Sequence, residues 1–217
     1  MTGPSPAPHP TRQVLDGHYT RLEPLGLEHA EDLFDAVDIP DAVARFAYLP
    51  SYPFTSRAAL RDWIVSQQGL ADPIVFAVID KATGRAGGWQ QMMRIEPRHG
   101  VIEIGYVYWG PAIARTRVAT EALYLFARHL FDDLGYRRFE WKCNNRNEPS
   151  KSAAQRFGFT FEGLFRQHMI VKGESRDTAW FSMLDYEWSL RRAGFERWLD
   201  AANFDASGQQ LSRLSFD

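Results

Sequence analysis

The sequence predicts a single α/β (α+β) domain in which helices flank a mixed, mostly antiparallel sheet of about seven strands. Three stretches carry that expectation. Residues 101–159 read as strand, tight loop, amphipathic helix, strand and capped helix. Residues 74–101 read as an antiparallel meander with turns at Lys81-Ala82-Thr83-Gly84 and Pro97-Arg98-His99-Gly100. Residues 161–188 read as a closing hairpin, with strands over 161–171 and 177–188 around Lys172-Gly173-Glu174-Ser175-Arg176.

In chain order, residues 1–18 are proline-rich and lack the apolar core of a signal peptide, so a flexible lead-in is expected before a domain over 19–188. Residues 19–25 alternate as a strand. Leu27 then opens a helix with Ala30, Leu33, Phe34 and Val37 on one face, ended at Pro40. A proline-punctuated aromatic link over 45–54 leads to Thr55 or Ser56 as the N-cap of a second helix, which turns Leu60, Trp63 and Ile64 inward. Residues 74–79 are apolar throughout, as suits a strand covered on both faces. In the next strand, over 86–95, Gly87-Gly88 is compatible with a bulge, a close backbone approach or a loose start.

The segment 101–159 holds the main functional signal. Its loop closes a strand at Trp109 and opens a helix, so the unpaired N–H groups of the first helical turn are available to an anion such as phosphate. Ala119, Leu123, Phe126, Leu130 and Leu134 form one stripe, widened by Val118, Ala122 and Leu125, and Gly135 stops the helix before a strand over 137–143. The β-α-β order implies parallel pairing, with the helix N-terminus at the carboxyl edge of the sheet, where ligands commonly bind. Asn147 is a good N-cap and Pro149 fits the first turn of the next helix. The tail over 189–217 begins with Phe195, Trp198 and Leu199 and then turns polar, which suits packing on the domain or pairing of two copies; monomer and homodimer both fit.

Composition narrows the classes. The 217 residues suit one ordinary domain, and 45% apolar content with seven Trp is globular in character, without an apolar run long enough to span a membrane. Lys plus Arg number 25 against 27 Asp plus Glu, which gives no reason to expect general nucleic-acid or anionic-membrane binding. One cysteine, Cys143, cannot form an internal disulfide and suits a reducing, cytoplasmic setting as a plain buried thiol. The six histidines show no metal-ligand spacing, so no metal is expected.

Two motifs carry a family resemblance. Asn147-x-x-Ser150 followed by Arg156-Phe157-Gly158-Phe159 is similar to the N-x-x-S...LGF element of the GNAT acyl-CoA N-acyltransferases. Gly173...Asp177...Phe181-Ser182-Met183-Leu184...Glu187-Trp188 resembles the closing hairpin of the branch that contains the RimJ and RimL ribosomal-protein N-terminal acetyltransferases. With Arg21-Leu22-Glu23-Pro24 and Glu121-Ala122, the likeness spans roughly residues 19–188. It implies the GNAT fold and acetyl-CoA as acyl donor. The family's pyrophosphate loop, Q/R-x-x-G-x-G/A, registers with Ala114 at its first position, Arg117 at its glycine and Ala119 at its last. Only Ala119 fits. Arg117 must point its side chain away for the same backbone contact to form, while Arg115 and Arg117 add donors suited to phosphate.

The activity so implied is acetyl transfer to a primary amine on a small molecule or a protein N-terminus. The alternatives are transfer of another acyl group, such as succinyl, or a catalytically degenerate acyl-CoA-binding module. An amine with a reference pKa of about 8 to 10.4 must shed a proton before it attacks. Glu103, on the central strand just before the loop, is the candidate base; the rival reading is a structural carboxylate paired with Arg94. The leaving thiol, with a reference pKa of about 8.5, needs less help. Where many family members carry a tyrosine acid this chain has Ala154, and Ser150 or Asn147 can instead hydrogen-bond the thiol or the pantetheine arm. The oxyanion donor is expected on the backbone of Val107, Tyr108 and Trp109, and the cofactor cradle on Ala114, Arg115, Thr116, Arg117, Val118 and Ala119. By resemblance, Phe46, Tyr48 and Tyr52 wall the acceptor pocket; hydrophobic packing is the alternative.

Overall fold

A two-residue strand, β1 (Leu15–Asp16), starts the sheet against β2 (Thr20–Pro24). The computed structural model describes residues 6–217, so Met1 to Ser5 of the expected lead-in lie outside the described residues. From Ala7 onward that lead-in is tied down. The Ala7 N–H donates to Pro97 O at 3.0 Å, Arg12 donates to the carbonyls of Gln67 and Leu70, and Leu15 is buried. These contacts reach segments far along the chain, which local composition cannot reveal.

Helices α1 (Ala30–Val37), α2 (Ala42–Arg45) and α3 (Arg57–Gln67) follow. Ser56 is the N-cap of α3, its hydroxyl accepting the Ala59 N–H at 3.1 Å. The meander is β3 (Ile74–Asp80), β4 (Arg85–Glu96) and β5 (Val101–Trp109). Next come α4 (Arg117–Arg128), β6 (Arg138–Asn144) and α5 (Glu148–Arg156), and then β7 (Thr160–Val171), β8 (Glu174–Leu184) and α6 (Asp185–Leu199).

The eight strands run β1-β2-β3-β4-β5-β6-β8-β7, one more than expected because β1 is too short for alternation to signal it. Among the described residues only β5 and β6 pair in parallel, across the α4 crossover. Two cores sandwich the sheet. Ile74, Phe76 and Val78 of β3 face the α4–α6 side, and Val75, Ala77 and Ile79 face the α1–α3 side, so β3 is covered on both faces. Leu123, Phe126 and Leu130 are at most 1% exposed, and each contributes roughly 2 kcal/mol by burial.

Some boundaries differ from expectation. The α-helical pattern of α4 gives way at His129–Asp133 to a π-helical turn before Gly135, whose φ of +68° ends the helix. The hairpin turns on Lys172 and Gly173 alone, both at positive φ, so Glu174 to Arg176 already belong to β8. Residues 185–188, expected as strand, form the first turn of α6, where the Glu187 carboxylate accepts the Leu184 N–H at 2.8 Å. The expected boundary at 188 therefore falls inside a helix. The C-terminal stretch packs on the domain through Phe195, Trp198, Phe204 and Phe216.

Gly87-Gly88 proves to be both a bulge and a close approach. The register slips between Val78 and Ile79, and a Cβ on Gly88 would come within 2.1 Å of Tyr108 O.

Candidate active site

β5 keeps its β4 partner as far as Trp109, but it pairs with β6 only from Val101 to Ile104. The cause is visible in the register: Trp89 opposes Tyr108 while Gln91 opposes Gly105, so β5 carries an extra residue there, with Tyr106 at φ +43°. The edge of Gly105 to Trp109 that faces β6 is thereby left outside the sheet ladder. This is the splay anticipated for Val107, Tyr108 and Trp109. Their side chains serve packing, since the Tyr108 hydroxyl donates to Ala36 O at 2.6 Å and the Trp109 indole donates to Gln90 at 3.3 Å. Burial pushes the Tyr108 phenol up to about 12.

The loop after β5 sorts its own amides. The N–H groups of Ala114 and Thr116 donate to Gly110 O (2.9 Å) and Ile113 O (3.2 Å), and that of Val118 donates to Thr116 Oγ1 (3.2 Å). Ala114, Thr116 and Val118 therefore offer no free amide to a cradle. Among the described residues, the N–H groups of Arg115, Arg117 and Ala119 have no protein acceptor. Thr116 is the N-cap of α4, and Arg115 sits at φ +64°. Two of the free amides belong to the positions where the resemblance places a glycine and a small residue. Arg117 does not plug the loop: its guanidinium lies 4.3 Å from the centre of the Tyr19 ring and 5.3 Å from that of Phe204. Arg117→Gly is therefore expected to leave acetyl-CoA affinity within about threefold and to lower stability by about 1 kcal/mol through the lost stacking and the added glycine. Calorimetric titration and urea unfolding check the two halves.

Glu121, in the first half of α4, is a residue whose role was not foreseen. It is 4% exposed, and its carboxylate accepts three backbone N–H groups, from His18 (2.8 Å), Tyr19 (2.7 Å) and Thr20 (2.7 Å). It thus pins β2 to the helix that carries the free amides.

Glu103 is buried on the β5 face turned toward α1–α3. Its Oε2 accepts from Arg94 (3.0 Å) and from Lys142 (2.8 Å), so the anticipated Arg94 pair is present. Lys142 also reaches Glu140 at 2.6 Å and stands over the Trp180 ring at 3.8 Å. Arg138 joins Glu140 (2.6 Å) to Glu162, making three cations against three carboxylates on one sheet face. For Lys142 and Glu140 the legible signal in the sequence is the alternation of Arg138, Glu140 and Lys142 along one strand.

Within that network Arg138 holds the Glu162 carboxyl below its ordinary value of 4.5, aided by the Ser182 hydroxyl. A depressed folded pKa contributes stability above the ordinary value, and that contribution fades as pH falls through the lower folded value. Glu162→Gln should therefore differ from the parent protein in stability near neutrality and converge on it in acid, as urea unfolding at stepped pH will show.

On α5, Asn147 is the N-cap, its side chain accepting the Ser150 N–H at 3.2 Å, and Ser150 Oγ accepts from the Trp141 indole at 3.0 Å. The Ser150 hydroxyl lies next to Cys143, a buried thiol whose pKa is raised by burial. Of the acceptor candidates, Phe46 is wholly buried against Trp89, Tyr108 and Phe54, so it backs the wall and does not line it. Tyr48 and Tyr52 are exposed. The hairpin tip closes on this link, with Lys172 Nζ donating to Phe46 O at 2.7 Å and standing 4.6 Å from the Tyr52 ring centre.

The sheet is thus splayed at its parallel pair, with free helix amides at its carboxyl edge. Residues 20–160 match the family model described as acetyltransferase (GNAT) domain, and the chain belongs to that family. It is 29% identical over 177 residues to an uncharacterized N-acetyltransferase p20 of Bacillus licheniformis, covering 77% of this chain and 94% of the relative. A GCN5-related N-acetyltransferase structure from Brucella melitensis is 52% identical, covers 97% of this chain and 96% of its own, and superposes with a TM-score of 0.95. A probable GNAT-family acetyltransferase structure from Chromobacterium violaceum is 38% identical over 87% of this chain and 94% of its own, with a TM-score of 0.80.

Proposed function

We propose that the protein transfers an acetyl group from acetyl-CoA to a primary amine held on the Glu103 face of the sheet. The observation that carries this reading is the pair of free N–H groups at Arg117 and Ala119 beside the β5–β6 gap. Backbone donors at a helix N-terminus suit a pyrophosphate in both charge and geometry. The donor molecule supplies an activated thioester carbonyl when bound. The chain supplies the rest. The open β5 edge over 105–109 offers N–H groups to the carbonyl oxygen, and Asn147 and Ser150 at the start of α5 offer donors to the pantetheine arm and its thiol. Glu103 Oε1, free of the two cations on Oε2, accepts the amine proton directly or through a water.

Two measurements test this. Calorimetric titration should show acetyl-CoA binding to the purified protein, and thiol release should depend on an added amine. Binding of CoA thioesters with no amine-dependent release from any of them would leave a binding module in place of an enzyme. Faster release from succinyl-CoA than from acetyl-CoA would reassign the acyl group.

A further inference from the structure

The β8 residue Arg176 is half-buried, and among the described residues its guanidinium makes neither an ion pair nor a hydrogen bond. Its Nε is shut off from solvent without an acceptor. Strand alternation places Arg176 on the face of Thr178 and Trp180, which β6 continues through Lys142 to Glu103. Burial lowers its pKa, and Cys143 first and then Glu103 oppose that fall while Arg94 adds to it. A guanidinium taken partly out of water and left unpaired costs stability, and an acceptor brought from outside the chain would relieve that cost.

A second observation points the same way. Besides Arg176 Nε, three buried side-chain atoms on this face have no partner among the described residues: Trp89 Nε1, Gln91 Nε2 and Trp180 Nε1. All three, like Arg176 Nε, are N–H donors. Trp89 is 0% and Gln91 2% exposed, so these two lie behind the wall, and Arg176 and Trp180, each only partly buried, are the donors nearer its surface. Gln90, which faces the opposite core, has both ends of its amide engaged, with Ala122 O at 2.9 Å and the Trp109 indole at 3.3 Å. Two more such atoms, Tyr136 Oη and Arg191 Nε, lie on the α4–α6 side, so the Glu103 face holds most of the unpartnered donors among the described residues but not all of them.

We infer that the acceptor amine also bears a carboxylate, as in an amino-acid-type small molecule, and that Arg176 binds that carboxylate while the amine lies toward Glu103. This rests on the acetyltransferase reading above and names its substrate class. The N–H groups of Trp180 and Gln91 are further donors on the same wall. A neutral peptide N-terminus would leave Arg176 unanswered.

The test supplies acetyl-CoA with the twenty free amino acids, the matching amino-acid amides and short peptides. At least one free amino acid should be preferred over its amide by about 100-fold in kcat/KM. Arg176→Gln should abolish that preference by slowing the free acid about 100-fold while slowing the amide by less than about tenfold, and Arg176→Lys should restore part of it. The amide rate and the acetyl-CoA Kd of each variant report folding and cofactor binding separately. The inference is overturned if amides or peptides are the better acceptors, if no free amino acid is acetylated by protein that binds acetyl-CoA, or if Arg176→Gln weakens acetyl-CoA binding instead. Failure of the parent protein to bind acetyl-CoA would overturn the underlying reading as well.

Discussion

Replacing Glu103 by glutamine is expected to lower kcat about 100-fold with the acetyl-CoA Kd changed by less than about twofold, because the base is lost while the amide cradle is untouched. The network predicts that the variant folds: Lys142 keeps Glu140 at 2.6 Å, and Arg94, 43% exposed, regains water. The pH profile separates a base from a structural carboxylate. Without a base, the residual rate should climb tenfold per pH unit until the amine reaches its own pKa, about 8 to 10.4. A variant within threefold of the parent rate, or with the parent's pH profile, would leave Glu103 a structural partner of Arg94 and Lys142 only.

Glu121→Ala should cost about 4 kcal/mol of stability, measured by urea unfolding. The estimate follows from three charge-assisted hydrogen bonds, all to backbone N–H groups at 2.7 to 2.8 Å, two of them from the buried residues Tyr19 and Thr20. Removing the acceptor strands those donors inside the protein. Gly17→Ala should act on the same joint, since its Cβ would lie 2.6 Å from the Glu121 carboxylate. Loss of less than about 1 kcal/mol in Glu121→Ala would mean that water replaces the carboxylate and that the joint carries little. Because α4 bears the free amides, acetyl-CoA affinity should fall in Glu121→Ala even where the protein remains folded.

Much of the site's scaffold was legible because it is written in local pattern. Caps at Thr55 or Ser56 and at Asn147, the stop at Gly135 and the two-faced strand of residues 74–79 all depend on neighbours within a few positions. The crossover geometry follows from the same kind of pattern: a helix of one broad apolar stripe between two strands has to lie on the sheet. Phe46 misled because an aromatic residue in a proline-rich link reads the same whether it lines a pocket or fills a core. Arg176 was hidden in what reads as a turn. Only the two-residue reversal at Lys172 and Gly173 moves it into a strand.

By itself the sequence determined a strand–loop–helix junction suited to phosphate and a carboxylate one strand-length away from it. Tertiary structure decided the rest. Thr116, bonded within its own turn, leaves the amides of Arg115, Arg117 and Ala119 free; Arg117 finds Tyr19 and Phe204; Glu121 meets backbone about a hundred residues earlier. The physical reason is common to all three. Periodicity and capping are energies among near neighbours in the chain, whereas the partner of a buried charge is chosen by whichever distant segment folding brings within hydrogen-bond reach.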